Sequence, residues 1–385
     1  MHDIQSLLPS DADQALLIGR IHDPAEGPSV VALRHGTLVD LTARFPTVSE
    51  LLNQDDPVAA VMQAPAARWS FEAVARATLD NDLTAPRFVA PCDLQVIKAC
   101  GVTFAGSMLE RVIEEKAGGD PLEAARIRSD IGQAIGAAIS SIRPGSKEAE
   151  EARRYLIQEG LWSQYLEVGI GPDAEVFTKA PVLSSVGSGE PIGILQASQW
   201  NNPEPELVLA VDAQGRIRGV TLGNDVNLRD IEGRSALLLG KAKDNNASCA
   251  IGPFVRLFDE HFTLDDARQL EIQLHVTGED GFTLKGQSST NRISRDLADL
   301  AAQTCGRHHQ YPDGFMLFTG TLFAPTDDRD APGQGFTHKL GDVVRIASPR
   351  VGALVNRVTY SEEARPWTDG IAALMRNLAR RGLLN

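Results

Sequence analysis

Between positions 202 and 243 this chain carries three carboxylates and one amine at spacings that a single β-hairpin brings together. The run is Asn202-Pro203-Glu204-Pro205-Glu206-Leu207, followed by Gly223-Asn224-Asp225 and then Lys243. Glu204 and Glu206 are two apart, so on an extended strand both side chains leave the same face. Glu206 to Val211 reads as that strand, Asp212-Ala213-Gln214-Gly215-Arg216 as a turn, and Ile217 to Gly223 as the return strand. Folding about Gln214–Gly215 sets Asp225 opposite Glu204. Three acidic groups on one face repel one another and call for a cation. Oxygen donors alone, with no His or Cys nearby, favour a hard divalent ion, Mg²⁺ or Mn²⁺, bound by Glu204, Glu206 and Asp225. The bland alternative uses the same residues: acidic strand positions facing solvent and ordinary Asn-Asp turn chemistry.

Composition narrows what such a site serves. At 385 residues the chain is long enough for one large or two modest domains, and 43% hydrophobic with 23% charged residues is a globular balance. No apolar run approaches the roughly 18 residues needed to span a bilayer. The start, Met1-His2-Asp3-Ile4-Gln5, lacks the basic and apolar regions of a signal peptide. Cys92, Cys100, Cys249 and Cys305 are scattered without zinc-type pairing, which suits reduced thiols in a cytoplasmic protein. A net charge of −14 with no basic stripe argues against nucleic acid. The partner expected is a small acidic molecule met by the metal and by local Lys or Arg.

The organisation suggests two parts. Residues 1 to about 90 carry short strand-like pieces around Gly and Pro turns, and 86–91 reads as a linker. A helical middle runs from about 107 to 160. Within it Asp120-Pro121 marks a helix start, followed by apolar helical spacing at Leu122, Ala125, Ile127, Ile131, Ala134, Ile135 and Ile139. From Glu175 onward strands and turns dominate, broken by a helix near Arg292–Thr304 with Gly306 as its stop and by a final helix opened by Thr368 and Asp369. Composition and pattern alone give α+β with β dominant in the second half.

The segment from Trp200 to Pro253 resembles the metal-binding core of the fumarylacetoacetate hydrolase family. The matching pieces are the Glu-x-Glu-Leu strand, Asn224-Asp225 followed by Arg229-Asp230, then Lys243 and Ile251-Gly252-Pro253. Order and spacing agree, and a looser likeness extends from about Gly101 to about Ile346. The resemblance implies a β-dominant mixed β-sandwich roll over 91–385, a small N-terminal β domain over 1–90, and a dimer or tetramer. It also implies that Lys243 faces the substrate, hydrogen-bonding the 2-oxo oxygen or relaying protons, its pKa lowered by burial near the cation; read without the resemblance, Lys243 is a surface lysine in a polar loop. A 2-oxo acid offers a carboxylate and a keto oxygen to one metal, and polarising that carbonyl acidifies the C3 protons.

One departure from the family pattern separates the possible reactions. Hydrolytic members carry Gly-x-Asn-Tyr-x-x-His-x-x-Glu, whose His and Glu activate water. The matching stretch here runs from Gly101 to Glu110, with Ser107 at the histidine position. A serine hydroxyl without a partner base does not deprotonate water near neutral pH. Enolisation and elimination need no activated water. Together with Ser248-Cys249-Ala250-Ile251-Gly252-Pro253, this resembles the branch that dehydrates 2-keto-3-deoxy-pentonates to 2,5-dioxopentanoate. The alternative is a C–C hydrolase of a 2,4-dioxo acid, with Glu110 or Glu175 activating water. By the resemblance Glu175 serves as base at C3 or supports the metal, Thr321 binds the substrate carboxylate, and Ser107 and Glu110 line the pocket. The plain readings are a strand-edge charge for Glu175, a strand-forming threonine for Thr321 and a helix-face carboxylate for Glu110. Arg229 and Asp230 are expected to buttress the hairpin, and the helical middle to cover the metal as a lid.

Overall fold

A computed structural model of the chain describes residues 4–63, 67–127, 142–158, 160, 162–323, 325–331 and 335–384. Strands dominate, as the β-branched and aromatic content of the second half implies. Among the described residues they form an eleven-stranded mixed sheet, a five-stranded sheet and a two-stranded ribbon. The large sheet centres on the expected hairpin, Pro205–Val211 against Ile217–Asp225. Cys249–Leu257 flanks the hairpin on one side and Phe315–Phe318 on the other. Beyond Phe315–Phe318 lie Val96–Gly101, which runs parallel to it, and then Glu175–Ala180.

The hairpin is held from both faces. All seven residues of Pro205–Val211 are buried. Leu207, Leu209 and Val211 pack with Ile272, Leu274, Val344 and Leu354 of the second sheet. Val208 and Ala210 point the other way, into a core with Ile18, Val30, Val48 and Leu51. Each such side chain contributes about 1.5–3 kcal/mol on burial, so the strand that carries the carboxylates is rigid and dry. Its turn is the one the sequence implies. Gly215 adopts φ 78°, its N–H donates to the Asp212 carbonyl, and the Asp212 carboxylate gathers Arg216 and Arg218 at 2.7 Å each.

The first 90 residues bring Leu17, Val31, Leu38, Phe71, Val74 and Phe88 to a cluster that Phe254 of the large sheet completes. Their strand Leu17–Asp23 also hydrogen-bonds Cys249–Leu257, which joins them to the large sheet. The 86–91 segment is not an exposed linker: Arg87–Val89 is a strand paired with Leu17–Asp23, and Phe88 is fully buried. Its apolar Phe and Val wanted a partner that a linker lacks.

The helical middle resolves into Ala105–Ala117, a helix over 121–127, Lys147–Gln158 and Gln164–Ile170. Asp120 caps as expected, accepting from the N–H groups of Leu122 and Glu123. Ile131, Ala134, Ile135 and Ile139 lie outside the described residues. Two boundaries differ from expectation. The helix Leu297–Thr304 ends in an extended Cys305, and Gly306 turns back to His309 instead of taking a left-handed stop. The last helix begins at Ile371 behind Gly370, because Thr368 and Asp369 are extended lining of a cavity, not caps.

Candidate functional site

Glu204, Glu206 and Asp225 converge at the open end of the hairpin, all buried, with one ligand oxygen from each within 4.8 Å of the others. Backbone pairing fixes the convergence. Glu206 lies opposite Gly223, and the Asp225 N–H donates to the Glu204 carbonyl at 3.1 Å. Asn224 adds a side-chain acceptor for the Glu204 N–H at 3.0 Å.

Lys243 ends the short helix Leu239–Lys243 and is 3% exposed, so it is not a surface lysine. Its ammonium touches Glu204 at 2.5 Å and Asp225 at 3.1 Å. Burial alone would push its pKa down, but Asp225, Glu204 and Glu232 outweigh burial and hold it well above the usual value. Toward these carboxylates alone Lys243 is a charged donor; the lowering expected of it belongs to the site with a cation in place. Glu175 lines the same cavity, and its carboxyl is pushed up to about 7, chiefly by burial and then by Glu232. Gly101 makes room for it, since a Cβ there would sit 2.0 Å from Glu175 Oε2. Glu206 is raised well above its ordinary value by burial beside Asp225 and Glu204. Among the described residues its one side-chain hydrogen bond is from the Gly320 N–H at 2.7 Å, and Gly320 takes φ 99° where a Cβ would strike Thr103. Asp225 is lowered because Lys179 and Lys243 overcome its burial.

The remaining expected residues are placed unevenly. Ser107 and Thr321 line the cavity, their hydroxyls donating to the carbonyls of Phe104 and Phe323 at 2.9 Å each. Glu110 does not line it; Arg229 Nη2 holds it at 3.0 Å. Arg229 is 1% exposed, binds Glu114 at 2.7 Å and stacks over Trp200, while Asp230 accepts from Ser198 and Gln199. Both support the structure around the hairpin.

Three site residues escaped the sequence reading. Lys179 is fully buried, 2.8 Å from Asp225, and donates to the carbonyls of Val226 and Lys243. The two-residue period that pairs Glu204 with Glu206 also aligns Glu175, Phe177 and Lys179, and that signal was available. Arg111 stands one helical turn after Ser107 and bridges Glu204, Glu114 and Glu232. Glu232 follows Arg229 by three on the next short helix.

The donor set fits a divalent cation. Five carboxylates line the cavity (Glu175, Glu204, Glu206, Asp225, Glu232) against Arg111 and Lys243, with Lys179 behind Asp225. The Lys243 ammonium already sits where positive charge is wanted, and Glu206 is left without a cationic partner. The cavity measures about 20 Å³, enough for one water-sized occupant.

Comparison with known proteins adds the family. The sequence profile described as Fumarylacetoacetate (FAA) hydrolase C-terminal matches residues 170–359. A 2-dehydro-3-deoxy-D-arabinonate dehydratase from Saccharolobus solfataricus is 33% identical over 184 residues, 48% of this chain and 58% of the relative. The match thus spans little more than half of that relative's length. A probable 2-keto-3-deoxyxylonate dehydratase from Haloferax volcanii is 31% identical over 211 residues, covering 55% of this chain and 68% of the relative. A solved structure of 2-keto-3-deoxy-D-arabinonate dehydratase with magnesium and 2,5-dioxopentanoate aligns at TM-score 0.62 and 21% identity, over 89% of this chain and 99% of the other. At that identity the likeness shows the fold. No helix among the described residues is long and apolar enough to cross a membrane.

Proposed function

The chain belongs to the fumarylacetoacetate hydrolase family, and we propose that it is a metal-dependent hydro-lyase converting a 2-keto-3-deoxy-pentonate to 2,5-dioxopentanoate. The observation that carries this reading is the buried triad with Glu206 uncompensated, beside a cavity with Glu175 but no histidine. The names of the two dehydratase relatives support the substrate class.

Glu204, Glu206 and Asp225 would hold Mg²⁺ or Mn²⁺, which supplies Lewis-acid polarisation of the 2-oxo group. Glu175 is the group suited to take the C3 proton, because burial keeps its affinity for a proton high. Lys243, kept charged by its neighbours, is suited to donate a hydrogen bond to the 2-oxo oxygen, and the proton that Glu175 takes from C3 is the one available to the departing C4 hydroxyl. The C3–H bond breaks, the C3–C4 double bond forms and the C4 hydroxyl leaves as water. Proton shifts then turn the C5 alcohol into the aldehyde, so the net change is loss of one water. Thr321 and Ser107 offer hydroxyls to the carboxylate and sugar oxygens. A cavity of about 20 Å³ cannot hold a five-carbon acid, so its wall must open for substrate to enter.

Hydrolysis fits less well. Ser107 Oγ donates to a carbonyl, and no base besides Glu175 stands ready to activate water. The test is to incubate the protein with Mg²⁺ and each C4 epimer of the substrate, then detect the aldehyde with its dehydrogenase. Product with one epimer, lost with EDTA and in Glu206→Gln, supports the reading; no product with either epimer overturns it.

A further inference from the structure

A second cavity, of about 720 Å³, lies between the first 90 residues and the C-terminal segment and shares no lining residue with the carboxylate site. Its charge is inverted relative to the chain. Five guanidinium groups line it (Arg20, Arg87, Arg365, Arg380, Arg381) against three carboxylates, in a protein of net charge −14. Two of the arginines are already spent. Arg20 binds the carbonyls of Ala90 and Cys92, and Arg381 binds Pro28 and Ser29. Of the carboxylates, the buried Glu190 accepts from the Gly187 N–H at 2.7 Å and makes no ion pair among the described residues, and it offsets part of the charge of Arg87 and Arg365 from a distance.

Arg87 is different. It is 4% exposed, its Nε has no hydrogen-bond partner, and Nη1 meets only a ring nitrogen of His22 at 3.5 Å. Burial holds its guanidinium below the ordinary value. Leaving a guanidinium donor dry and unpaired costs free energy unless something from outside completes it. Arg365 and Arg380 stand exposed in the same lining and form no ion pair among the described residues. The final helix starts here with no side-chain cap, so its positive end adds to the field. Trp367, exposed, and Leu183 supply apolar wall. Five non-glycine residues among those described have positive φ; Asn81, Leu183 and Ala247 line this cavity, and Val102 lines the other. Backbone strain of this kind gathers where a ligand is held.

We propose that this cavity is a second binding site, separate from the carboxylate triad, for a small organic anion with a carboxylate or phosphate head on an apolar body. The head pairs with Arg87 and Arg365, and the body lies against Trp367 and Leu183. The volume suits a ligand of metabolite size, since small-molecule sites run to about 300–1,000 Å³.

Calorimetric titration of the full EDTA-treated chain with phenyl phosphate, phenylacetate and neutral 2-phenylethanol tests it. One or both anions should bind one per chain, about tenfold or more tighter than the alcohol, and whichever head binds tighter identifies the source. Arg87→Gln and Arg365→Ala should each weaken binding about tenfold, and Glu206→Gln should leave it unchanged. Arg365 is exposed, so its variant reports on binding even where Arg87→Gln folds poorly. No saturable binding of either anion up to about 10 mM, equal affinity for the alcohol, or anion affinity unmoved by Arg365→Ala would overturn the proposal. Loss of binding in Glu206→Gln would place the ligand at the triad and overturn it too.

Discussion

The two cavities solve the problem of buried charge in opposite ways. In the small one, about 20 Å³, charges answer one another: Lys179 and Lys243 hold Asp225, Arg111 and Lys243 hold Glu204, Arg111 also holds Glu232, and among the described residues Glu206 and Glu175 are left without an ion pair. In the large one, about 720 Å³, the buried Arg87 lines open space with its Nε unpartnered; it makes no ion pair among the described residues, and Glu190 and Asp369 act on it only from a distance. A closed site can keep several like charges only by packing counter-charges around them, which leaves room for an ion and little else. An open site can leave a charge waiting for a ligand. The excess is negative in the first and positive in the second, so the first is suited to a cation and the second to an anion.

That contrast can be broken most severely at Glu206. Glu206→Gln removes the one triad oxygen donor that no internal cation neutralises. It should lower dehydration turnover about a thousandfold or more, the scale of losing several kcal/mol of charge stabilisation. Turnover assays with and without added Mn²⁺ check this, and residual activity within tenfold would break the assignment.

Next come the two buried cations, whose removal should have unequal effects. Lys179→Met removes one of the two cations on the buried Asp225, leaving Lys243 alone, and should cost about 3–5 kcal/mol in urea unfolding. Arg87→Met removes a guanidinium that makes no ion pair among the described residues and feels Glu190 and Asp369 only from a distance, and should change stability by less than about 1 kcal/mol. Equal losses would show that the two sites are not electrostatic opposites.

A smaller effect is expected from the metal itself. Mn²⁺ at about 100 times its dissociation constant should stabilise the chain by about 2.7 kcal/mol, or about 3 °C in melting temperature for a protein of this size. EDTA and Glu206→Gln should each abolish the shift.

The smallest concerns Glu175. Its folded pKa, about 7, lies above the ordinary 4.5, so the folded chain holds the extra proton between these values. Stability from this group is full below about 4.5 and is lost as pH rises through about 7. In EDTA, Glu175→Gln should flatten the fall in melting temperature across that window; an unchanged slope would remove Glu175 from the account.

How much of this was legible in the sequence follows from how local each signal is. The hairpin, its Gly215 turn and the pairing of Glu204 with Asp225 come from period-two spacing and turn chemistry, which act within about twenty residues of chain. The helix start at Asp120 was legible for the same reason. Arg111 and Lys179 reach the triad from 93 and 46 residues away; the period-two alignment of Lys179 with Glu175 hints at a shared face, but only the tertiary fold brings either cation to the triad. Lys243 shows the limit more sharply. Its burial was foreseen, but the sign of its pKa shift depends on three carboxylates meeting at one point. The second cavity was illegible altogether, since its wall is assembled from the first strands, the Arg87–Val89 strand and the last helix.

The central claim is water loss at a metal held by the triad, and it is tested most directly by one proton NMR experiment. The protein, Mg²⁺, a 2-keto-3-deoxy-pentonate and a 2,4-dioxo acid are mixed in one tube and both product signals are followed. Growth of 2,5-dioxopentanoate without pyruvate, stopped by EDTA, is the predicted result. Pyruvate from the dioxo acid with no dioxopentanoate would contradict it and make Glu175 the base that activates water.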